Sequence, residues 1–159
     1  MKTPFLVLLS ILGGFSCKKS TDNAVVIDAI VNIQIIDGQN KNLIGEVPSV
    51  DFSDLKIYYL IDEKKELFYK GDLDYPKGYA LLEDSHGEKY LRLFLNTQGD
   101  LPITLIQFND TDIDTVECEF NKKNGNINCT KIWYNDVLEW NVKDNSSSEN
   151  REITIIKAF

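Results

Sequence analysis

The sequence predicts an all-β fold, an antiparallel β-sandwich, and three observations support this prediction. Apolar residues recur with a period of two, as in Val31, Ile33 and Ile35, and turn-forming pairs such as Asn124-Gly125 separate these runs at short intervals. No uninterrupted amphipathic run of helical length lies between the turns. Short alternating strands at this spacing are typical of a sandwich, and a closed barrel is the alternative.

The strand assignments follow from the alternation and from the Gly, Pro, Asn and Asp residues that bound each run. We expect ten strands, near residues 26–36, 55–61, 66–70, 78–82, 89–96, 103–108, 113–121, 126–134, 137–142 and 152–158. The chain has 159 residues, which leaves room for one domain over residues 25–159. With 43% apolar residues, this domain can bury a core.

Residues 1–16 have the features of an export signal. Lys2 precedes an apolar run from Phe5 to Leu12, and small residues then lead to Cys17. The run is shorter than the roughly 20 apolar residues of a membrane-spanning helix. The segment resembles the signal peptide of bacterial lipoproteins, in which the cysteine after the small residues becomes the lipidated first residue. The resemblance implies cleavage before Cys17, lipidation of Cys17 and a short polar tether over residues 18–24.

The resemblance and the charge together limit location and partners. Lys18 stands where an Asp would retain a lipoprotein in the inner membrane, so we expect lipid anchoring in the cell envelope, at the outer membrane. The formal net charge is −8, and loss of Lys2 with the signal makes it one unit more negative. Nucleic acid is excluded as a partner, because binding to phosphates needs clustered Lys and Arg. The expected partners are the membrane, through the lipid, and an unknown protein or glycan.

Two further cysteines flank the turn at Asn124-Gly125. A four-residue loop beginning at Lys122 would place Cys118 opposite Cys129, at a non-hydrogen-bonded pair where side chains approach most closely. A two-residue loop would offset the pair diagonally. In an exported protein such a pair favours a disulfide. A nucleophilic or zinc-binding pair is the alternative, but the spacing does not match zinc-site patterns.

Alternation along this hairpin and the next one, which turns at Asn135-Asp136, predicts one wall of the core. Its side chains are Val116, Cys118, Phe120, Ile127, Cys129, Trp133, Leu138 and Trp140. A tryptophan near a disulfide resembles the architecture of immunoglobulin-like domains. The stretch 110–140 also resembles small lipoproteins of Gram-negative bacteria, which implies an envelope location and a β-sandwich and supplies no activity.

The acidic run Asp110, Asp112 and Asp114 is a candidate calcium site. Alternate carboxylates on an extended segment point to the same side, and calcium prefers oxygen ligands. The EF-hand pattern is not met, because Thr115 stands where a glycine is required. The alternative is a solvated strand entry whose charges discourage edge pairing. Asp114-Thr115-Val116 also resembles an acceptor motif of bacterial periplasmic O-glycosylation, which makes Thr115 a candidate glycosylation site.

Aromatic residues supply a candidate binding surface. Tyr58, Tyr90, Phe94 and Tyr134 lie on the non-core parity of their strands, where exposed rings can stack on sugars or anchor a protein partner. The alternative is that both sides of these strands are covered. His86, in the loop DSHG, is a turn residue rather than a catalytic one, because no second histidine exists to build a site with it. His86 and the loops 98–100 and 110–114 are the loop contact candidates.

These observations favour a non-catalytic binding or accessory module of the cell envelope for protein or glycan, with no cofactor apart from the candidate calcium. The alternative is an inhibitor of a basic envelope-degrading enzyme such as a lysozyme, because acidic surface charge steers basic partners. A hydrolase is a third class. The chain has 25 acidic residues, but no feature of the sequence selects the pair of carboxylates that glycoside hydrolysis requires.

Overall fold

The computed structural model describes residues 25–45, 51–144 and 151–159, and these residues are nearly all in strands and turns. Its eleven strands are β1 (Ile27–Asp28), β2 (Ile30–Ile36), β3 (Lys56–Ile61), β4 (Lys64–Leu67), β5 (Tyr79–Glu83), β6 (Lys89–Phe94), β7 (Ile103–Gln107), β8 (Ile113–Lys123), β9 (Asn126–Tyr134), β10 (Val137–Asn141) and β11 (Glu152–Ile156). The described part contains one 3₁₀ turn, Phe52–Asp54, and no α-helix. The all-β prediction is confirmed, and the expected first strand is divided into two. The predicted signal peptide, Cys17 and tether lie outside the described residues.

The strands form two sheets. The larger has the order β1-β9-β8-β7-β3-β4, with β10 also paired to β9, and the smaller has the order β11-β2-β6-β5. Both sheets are mixed, because β1 runs parallel to β9 and β11 runs parallel to β2. The expectation of a purely antiparallel fold is therefore wrong. These two strands do not enter their sheets through hairpins, so no tight turn imposes antiparallel pairing on them.

One core lies between the two sheets. The smaller sheet contributes the fully buried residues Val31, Ile33, Ile35, Leu91 and Leu93, and the larger contributes Ile57, Ile106, Val116, Cys118 and Ile132. In each strand these residues alternate with more exposed ones, as expected for a sheet with one buried face. The arrangement is compatible with a β-sandwich.

The β8–β9 hairpin differs from its predicted register. Its turn is the two-residue pair Asn124-Gly125, both at positive φ, and it is closed by Lys123 and Asn126. The register then shifts after Phe120, so that Thr130 of β9 has no partner opposite it. The predicted four-residue loop is therefore wrong, because the left-handed conformation that both turn residues adopt closes the tighter turn.

The shift also determines where the two cysteines lie. Cys118 is opposite Ile132, and Cys129 is opposite Phe120, so the cysteines are diagonal neighbours rather than a directly facing pair. Both are buried free thiols in this structure. The directly facing pair expected for a disulfide is thus not present.

The same bulge changes which side chains of β9 face the core. After the unpaired Thr130, Ile132 and Tyr134 are buried, and Trp133 is moved to the outer face, where the Lys131 ammonium lies 5.6 Å from its ring centroid. A second irregularity, in β10, leaves Leu138 exposed.

The predicted core wall is therefore only partly correct. Val116, Cys118, Cys129 and Trp140 are buried, whereas Phe120 and Ile127 are partly buried. Trp133 does not face the core because it follows the register shift at Thr130, and Leu138 lies opposite Trp133, before the shift in β10 that turns Trp140 inward.

A buried ion pair lies where the chain passes from the larger sheet to the smaller one. Arg151 is 3% exposed, and its guanidinium donates to the carboxylate of Asp28 in β1 and, at 3.2 Å, to the carbonyl of Ile30 in β2. The backbone N–H of Asn32 donates to the Arg151 carbonyl at 2.8 Å. The guanidinium also lies over the Trp140 ring, 5.5 Å from its centroid. We call Arg151 and Asp28 the interstrand clamp, because they connect β1, β2 and the start of β11.

Asp28→Ala tests this clamp. Removing the carboxylate leaves a buried guanidinium without its partner, and we expect the free energy of unfolding to fall by about 2–3 kcal/mol. Urea denaturation provides the measurement. The matched control is Asp54→Ala, because Asp54 pairs with Lys77 at 3.8 Å with 87% of its side chain exposed, and its loss should cost less than about 0.5 kcal/mol. Equal effects of the two substitutions would show that the clamp does not stabilise the fold.

Candidate functional site: an aromatic groove

A groove of about 650 Å³ lies beside the β4–β5 loop, at the end of the small sheet where β2 begins and β6 ends. Four rings line it, those of Tyr59, Phe68, Tyr75 and Phe94. Its remaining lining residues are Ile27, Ala29, Ile30, Lys70, Leu73, Asp74, Leu95, Asn96, Thr97 and Gln98. We call this the aromatic groove. Aromatic walls with a few polar groups at the edge are the usual composition of a small-molecule or sugar site.

The β4–β5 loop is shaped by Gly78. Gly78 has φ +79°, its N–H donates to the Tyr75 carbonyl at 3.1 Å, and its carbonyl accepts from the Phe94 N–H at 3.0 Å. A Cβ at this position would lie 2.7 Å from Cδ1 of Phe68. Only glycine allows both this backbone conformation and the close approach of the Phe68 ring. The loop therefore holds two of the four rings in place.

The rings are arranged as two pairs. Tyr59 and Phe68 pack at 4.7 Å between centroids with a 45° tilt, and Tyr75 stacks on Phe94 at 5.7 Å and 27°. The Tyr59 hydroxyl donates to the Phe94 carbonyl at 3.1 Å, which connects the two pairs. Burial raises the pKa of Tyr59 to about 12, so its hydroxyl remains a donor at neutral pH. Tyr75 is 42% exposed, so its ring is accessible to a ligand.

The polar edge of the groove is positioned by Asn96, which is completely buried. Its side-chain amide donates to the carbonyls of Leu60 at 3.1 Å and Ile103 at 3.3 Å, and its side-chain oxygen accepts from the Gln98 N–H at 3.0 Å. The Asn96 N–H donates to the Thr104 hydroxyl at 2.8 Å. These bonds fix the segment 96–98 against the larger sheet, so that Thr97 and Gln98 form one edge of the groove.

The structure brings together only some of the aromatic candidates. Phe94 lines the groove, and Tyr90 lies further along the same outer face of β6, where its hydroxyl accepts from Arg92 at 3.4 Å. Tyr58 lies on the outer face of the other sheet, with the Lys65 ammonium 3.9 Å from its ring centroid. Tyr58 therefore cannot share a ligand with Phe94.

Tyr134 is not a surface residue. It is buried, and its hydroxyl donates to the carboxylate of Asp114. Burial, followed by the hydrogen bond to Asp114, raises the pKa of Tyr134 far above its usual range. The prediction of Tyr134 as a binding residue is wrong, because the bulge at Thr130 reverses its orientation.

His86 lies in the β5–β6 turn, at the other end of that hairpin from the groove, and its side chain is exposed. Its N–H donates to the Asp84 carboxylate at 2.8 Å, and that carboxylate also accepts from the Glu88 N–H at 2.9 Å. The backbone donors of Glu88 and His86 lower the pKa of Asp84. The contacts of His86 are those of a turn residue, and the Ser85 hydroxyl lies 3.5 Å from its ring nitrogen Nδ1.

Two carboxylates of the acidic run form ion pairs with a lysine from the C-terminal part of the chain. The Lys157 ammonium lies 2.6 Å from Asp112 Oδ1 and 2.5 Å from Asp114 Oδ2, and so pairs with two of the three carboxylates of the candidate calcium site. Asp114 is buried rather than solvated and also accepts from Asn135 Nδ2 at 2.8 Å. Asp110 is exposed in the preceding turn. Within the described residues, no three His, Cys, Asp or Glu side chains are grouped to hold a metal ion.

Thr115 lies on the outer face of β8, opposite in orientation to the buried Val116. Its N–H donates to Asn135 Oδ1 at 2.8 Å, and its hydroxyl donates to the same oxygen at 3.3 Å. The hydroxyl proposed for glycosylation therefore has a partner within the protein.

The alternation pattern did not identify two groove residues, Phe68 and Tyr75. Phe68 was expected within a strand over 66–70, but β4 ends at Leu67, and both residues lie in the loop that follows. A signal for them exists in the segment 68–78, which carries Phe68, Tyr69, Leu73 and Tyr75 between turn residues. Such a density of large apolar side chains is unusual for a solvated loop, and three of the four are at least 40% exposed.

Comparison with protein families, with curated proteins and with solved structures finds no match to this chain. Over residues 25–45, 51–144 and 151–159, no helix is long and apolar enough to cross a membrane.

Gly78→Ala tests whether the loop holds the rings as described. We expect the free energy of unfolding to fall by about 2–3 kcal/mol, because an alanine at positive φ is strained and its Cβ displaces Phe68. The control is Gly99→Ala, where φ is +87° but no heavy atom lies within 4 Å of the added Cβ, so that only the backbone strain of about 1 kcal/mol remains. Urea denaturation gives both values, and the same loss for both variants would contradict the Phe68 contact.

Proposed function

We propose that this chain is a lipid-anchored, non-catalytic binding module of the cell envelope, a β-sandwich of immunoglobulin-like type whose aromatic groove binds carbohydrate. The observation that supports the ligand class is the stacked pair of Tyr75 and Phe94 at the groove mouth. The exposed face of such a ring stacks on the C–H face of a sugar, and this contact is sterically specific but electrically neutral. The module requires no cofactor for this function.

The polar groups at the groove edge suit sugar hydroxyls. Lys70 and Asp74 are on the loop side, and Thr97 and Gln98 are on the strand side, so donors and acceptors flank the stacked rings. A hydrolase would need two carboxylates converging on the bound sugar. Among the described residues that line the groove, Asp74 is the one that carries a carboxylate. The composition of the groove therefore supports binding rather than hydrolysis.

Binding of uncharged N-acetylglucosamine oligosaccharides, measured by isothermal titration calorimetry, tests the groove. We expect Tyr75→Ala and Phe94→Ala each to weaken binding at least about tenfold, because each removes one ring of the stacked pair. Tyr58→Ala is the matched control, since it removes an equally aromatic residue from the outer face of the other sheet and should leave the affinity unchanged.

Salt dependence separates this function from the alternative. The affinity for neutral sugars should stay the same between 50 and 500 mM salt, roughly a tenfold range of ionic strength, because stacking involves no ion pair. The net charge of −8 favours a second function, inhibition of a basic enzyme such as a lysozyme. Failure of all oligosaccharides to bind, together with salt-sensitive capture and inhibition of lysozyme, would overturn the carbohydrate proposal in favour of the inhibitor.

The anchor is tested separately. With Cys17→Ser we expect the protein to leave the membrane fraction, because it lacks the residue that would carry the acyl chains. Cys118→Ser is the control and should stay with the membrane. Fractionation followed by mass analysis of the N-terminal peptide provides the readout. An unmodified Cys17 in the wild-type protein would contradict lipid anchoring without affecting the groove.

A further inference from the structure

We propose that Lys157 and Asp114 form an isopeptide bond, an amide between their side chains, with Asp112 as the proton acceptor of the reaction. The bond joins the end of the smaller sheet to the larger one. This proposal concerns a different part of the molecule from the aromatic groove and does not depend on carbohydrate binding.

The three side chains meet in a largely buried position. The Lys157 ammonium lies 2.5 Å from Asp114 Oδ2 and 2.6 Å from Asp112 Oδ1, and the side chains of Lys157 and Asp114 are 12% and 8% exposed. The Asp114 Cγ is one bond of about 1.2 Å beyond Oδ2, so Lys157 Nζ is at most about 3.8 Å from the carbon that it attacks. This is near the separation of about 3–3.5 Å at which bound reactants are poised to react.

The backbone holds both partners in this position. Lys157 directly follows β11, and its N–H donates to the Ile36 carbonyl of β2 at 2.9 Å. Asp114 lies in β8 and is paired with Ile106 of β7. Because each backbone is fixed by strand pairing in its own sheet, the amine and the carboxyl group stay together as an intramolecular pair.

Hydrogen bonds distinguish the two carboxylates. The Tyr134 hydroxyl donates to Asp114 Oδ2, and Asn135 Nδ2 donates to Asp114 Oδ1 at 2.8 Å. Donors on both oxygens stabilise the negative charge that develops on them when a nucleophile attacks Cγ. Asp112 contacts the same ammonium through Oδ1, where it can take a proton from it. Asp114 is therefore the carboxyl group that is attacked, and Asp112 is the base.

The surroundings favour an amide over separate ions. The Lys157 ammonium lies 4.4 Å from the Phe108 ring centroid, and Phe108 packs on Phe159 at 5.7 Å and on Phe52 at 6.3 Å between centroids. Keeping ions in such an apolar site, away from water, costs free energy. Conversion of the Lys157 ammonium and one carboxylate into a neutral amide removes two of these charges.

The reaction needs no other reagent. Asp112 takes a proton from the Lys157 ammonium, and the amine that results forms a bond to Asp114 Cγ. The tetrahedral intermediate then expels one oxygen, which takes the proton from Asp112 and a second proton from the nitrogen and leaves as water. One ammonium and one carboxylate thus become one amide and one water, and no group is oxidised or reduced.

Peptide mapping of the purified whole protein tests the bond. Trypsin does not cleave after an acylated lysine, so we expect the fragments Leu93–Lys122 and Glu152–Phe159 as one branched peptide, lighter than their sum by one water. Fragmentation of this peptide should place the branch at Asp114. Recovery of most of the two fragments unlinked, with cleavage after Lys157, would overturn the proposal, and so would a branch at Asp112.

Two variants identify the reacting groups. Lys157→Arg keeps a cation beside the carboxylates but has no amine that can attack, so we expect no branched peptide. Asp112→Asn keeps Lys157 and Asp114 but removes the base, and we expect the branched fraction to fall at least about tenfold. A branched peptide in Lys157→Arg, or an undiminished one in Asp112→Asn, would contradict the assigned roles.

A second ion pair of the same protein provides the internal control. Lys131 Nζ lies 2.8 Å from Glu119 Oε2, with side chains 30% and 42% exposed, and we expect this pair to remain unlinked in the same digest. The control separates bond formation from ion pairing alone. A Lys131–Glu119 linkage of equal yield would show that the cluster around Lys157 has no special reactivity.

Discussion

The buried pair of Arg151 and Asp28 is the constraint on which the junction between the two sheets depends. The chain leaves β1 in one sheet and enters β2 in the other with only Ala29 between them, so the backbone has no loop in which to adjust this crossing. The Arg151 guanidinium contacts both sides of the crossing, through the Asp28 carboxylate and the Ile30 carbonyl. Because Arg151 directly precedes β11, one side chain connects two parallel pairings that no hairpin enforces.

This constraint reaches two other parts of the molecule. β1 pairs with β9 at Ile127 and Asn128, beside the buried Cys129, so the clamp holds the strand that lies along this part of β9. On the other side of the crossing, Ile27, Ala29 and Ile30 form part of the groove lining. The Arg151–Asp28 ion pair therefore holds β1 in place and, with it, the side of the groove that Ile27 lines.

Much of the fold was predictable because a strand with one buried face imposes a period of two on its sequence. Each expected strand overlaps an observed one, although the strand expected over 66–70 is displaced to Lys64–Leu67. The alternation of Val31, Ile33 and Ile35 with their neighbours identifies the inner face of β2 correctly. The alternation predicted the wrong orientation for Trp133 and Tyr134, because the unpaired Thr130 exchanges the buried and exposed faces of the residues that follow it in β9. Thr130 carries no composition signal for a bulge, so the sequence alone could not indicate this reversal.

The site was less predictable than the fold, for a related physical reason. Phe94 was identified because it belongs to a strand with clear alternation, but its partner Tyr75 comes from a loop whose path depends on the Gly78 turn and on the Phe68 contact. Likewise, the partner of Asp112 and Asp114 is Lys157, which is distant in sequence and reaches them only because β11 lies beside β2. Contacts between loops and terminal strands require the topology, which local patterns do not contain.

The position of β1 also relates the groove to the proposed anchor. Ile27 lines the groove, and the segment 18–24 separates Cys17 from Val25. An extended chain spans at most about 3.6 Å per residue, so a lipid on Cys17 would hold Ile27, ten residues further along the chain, within about 36 Å of the bilayer. The acidic domain is repelled by anionic headgroups, which keeps it from lying flat against them. A groove held near the membrane but not pressed onto it can receive carbohydrate from the layer that adjoins the bilayer, and this is the geometry that the proposed function requires.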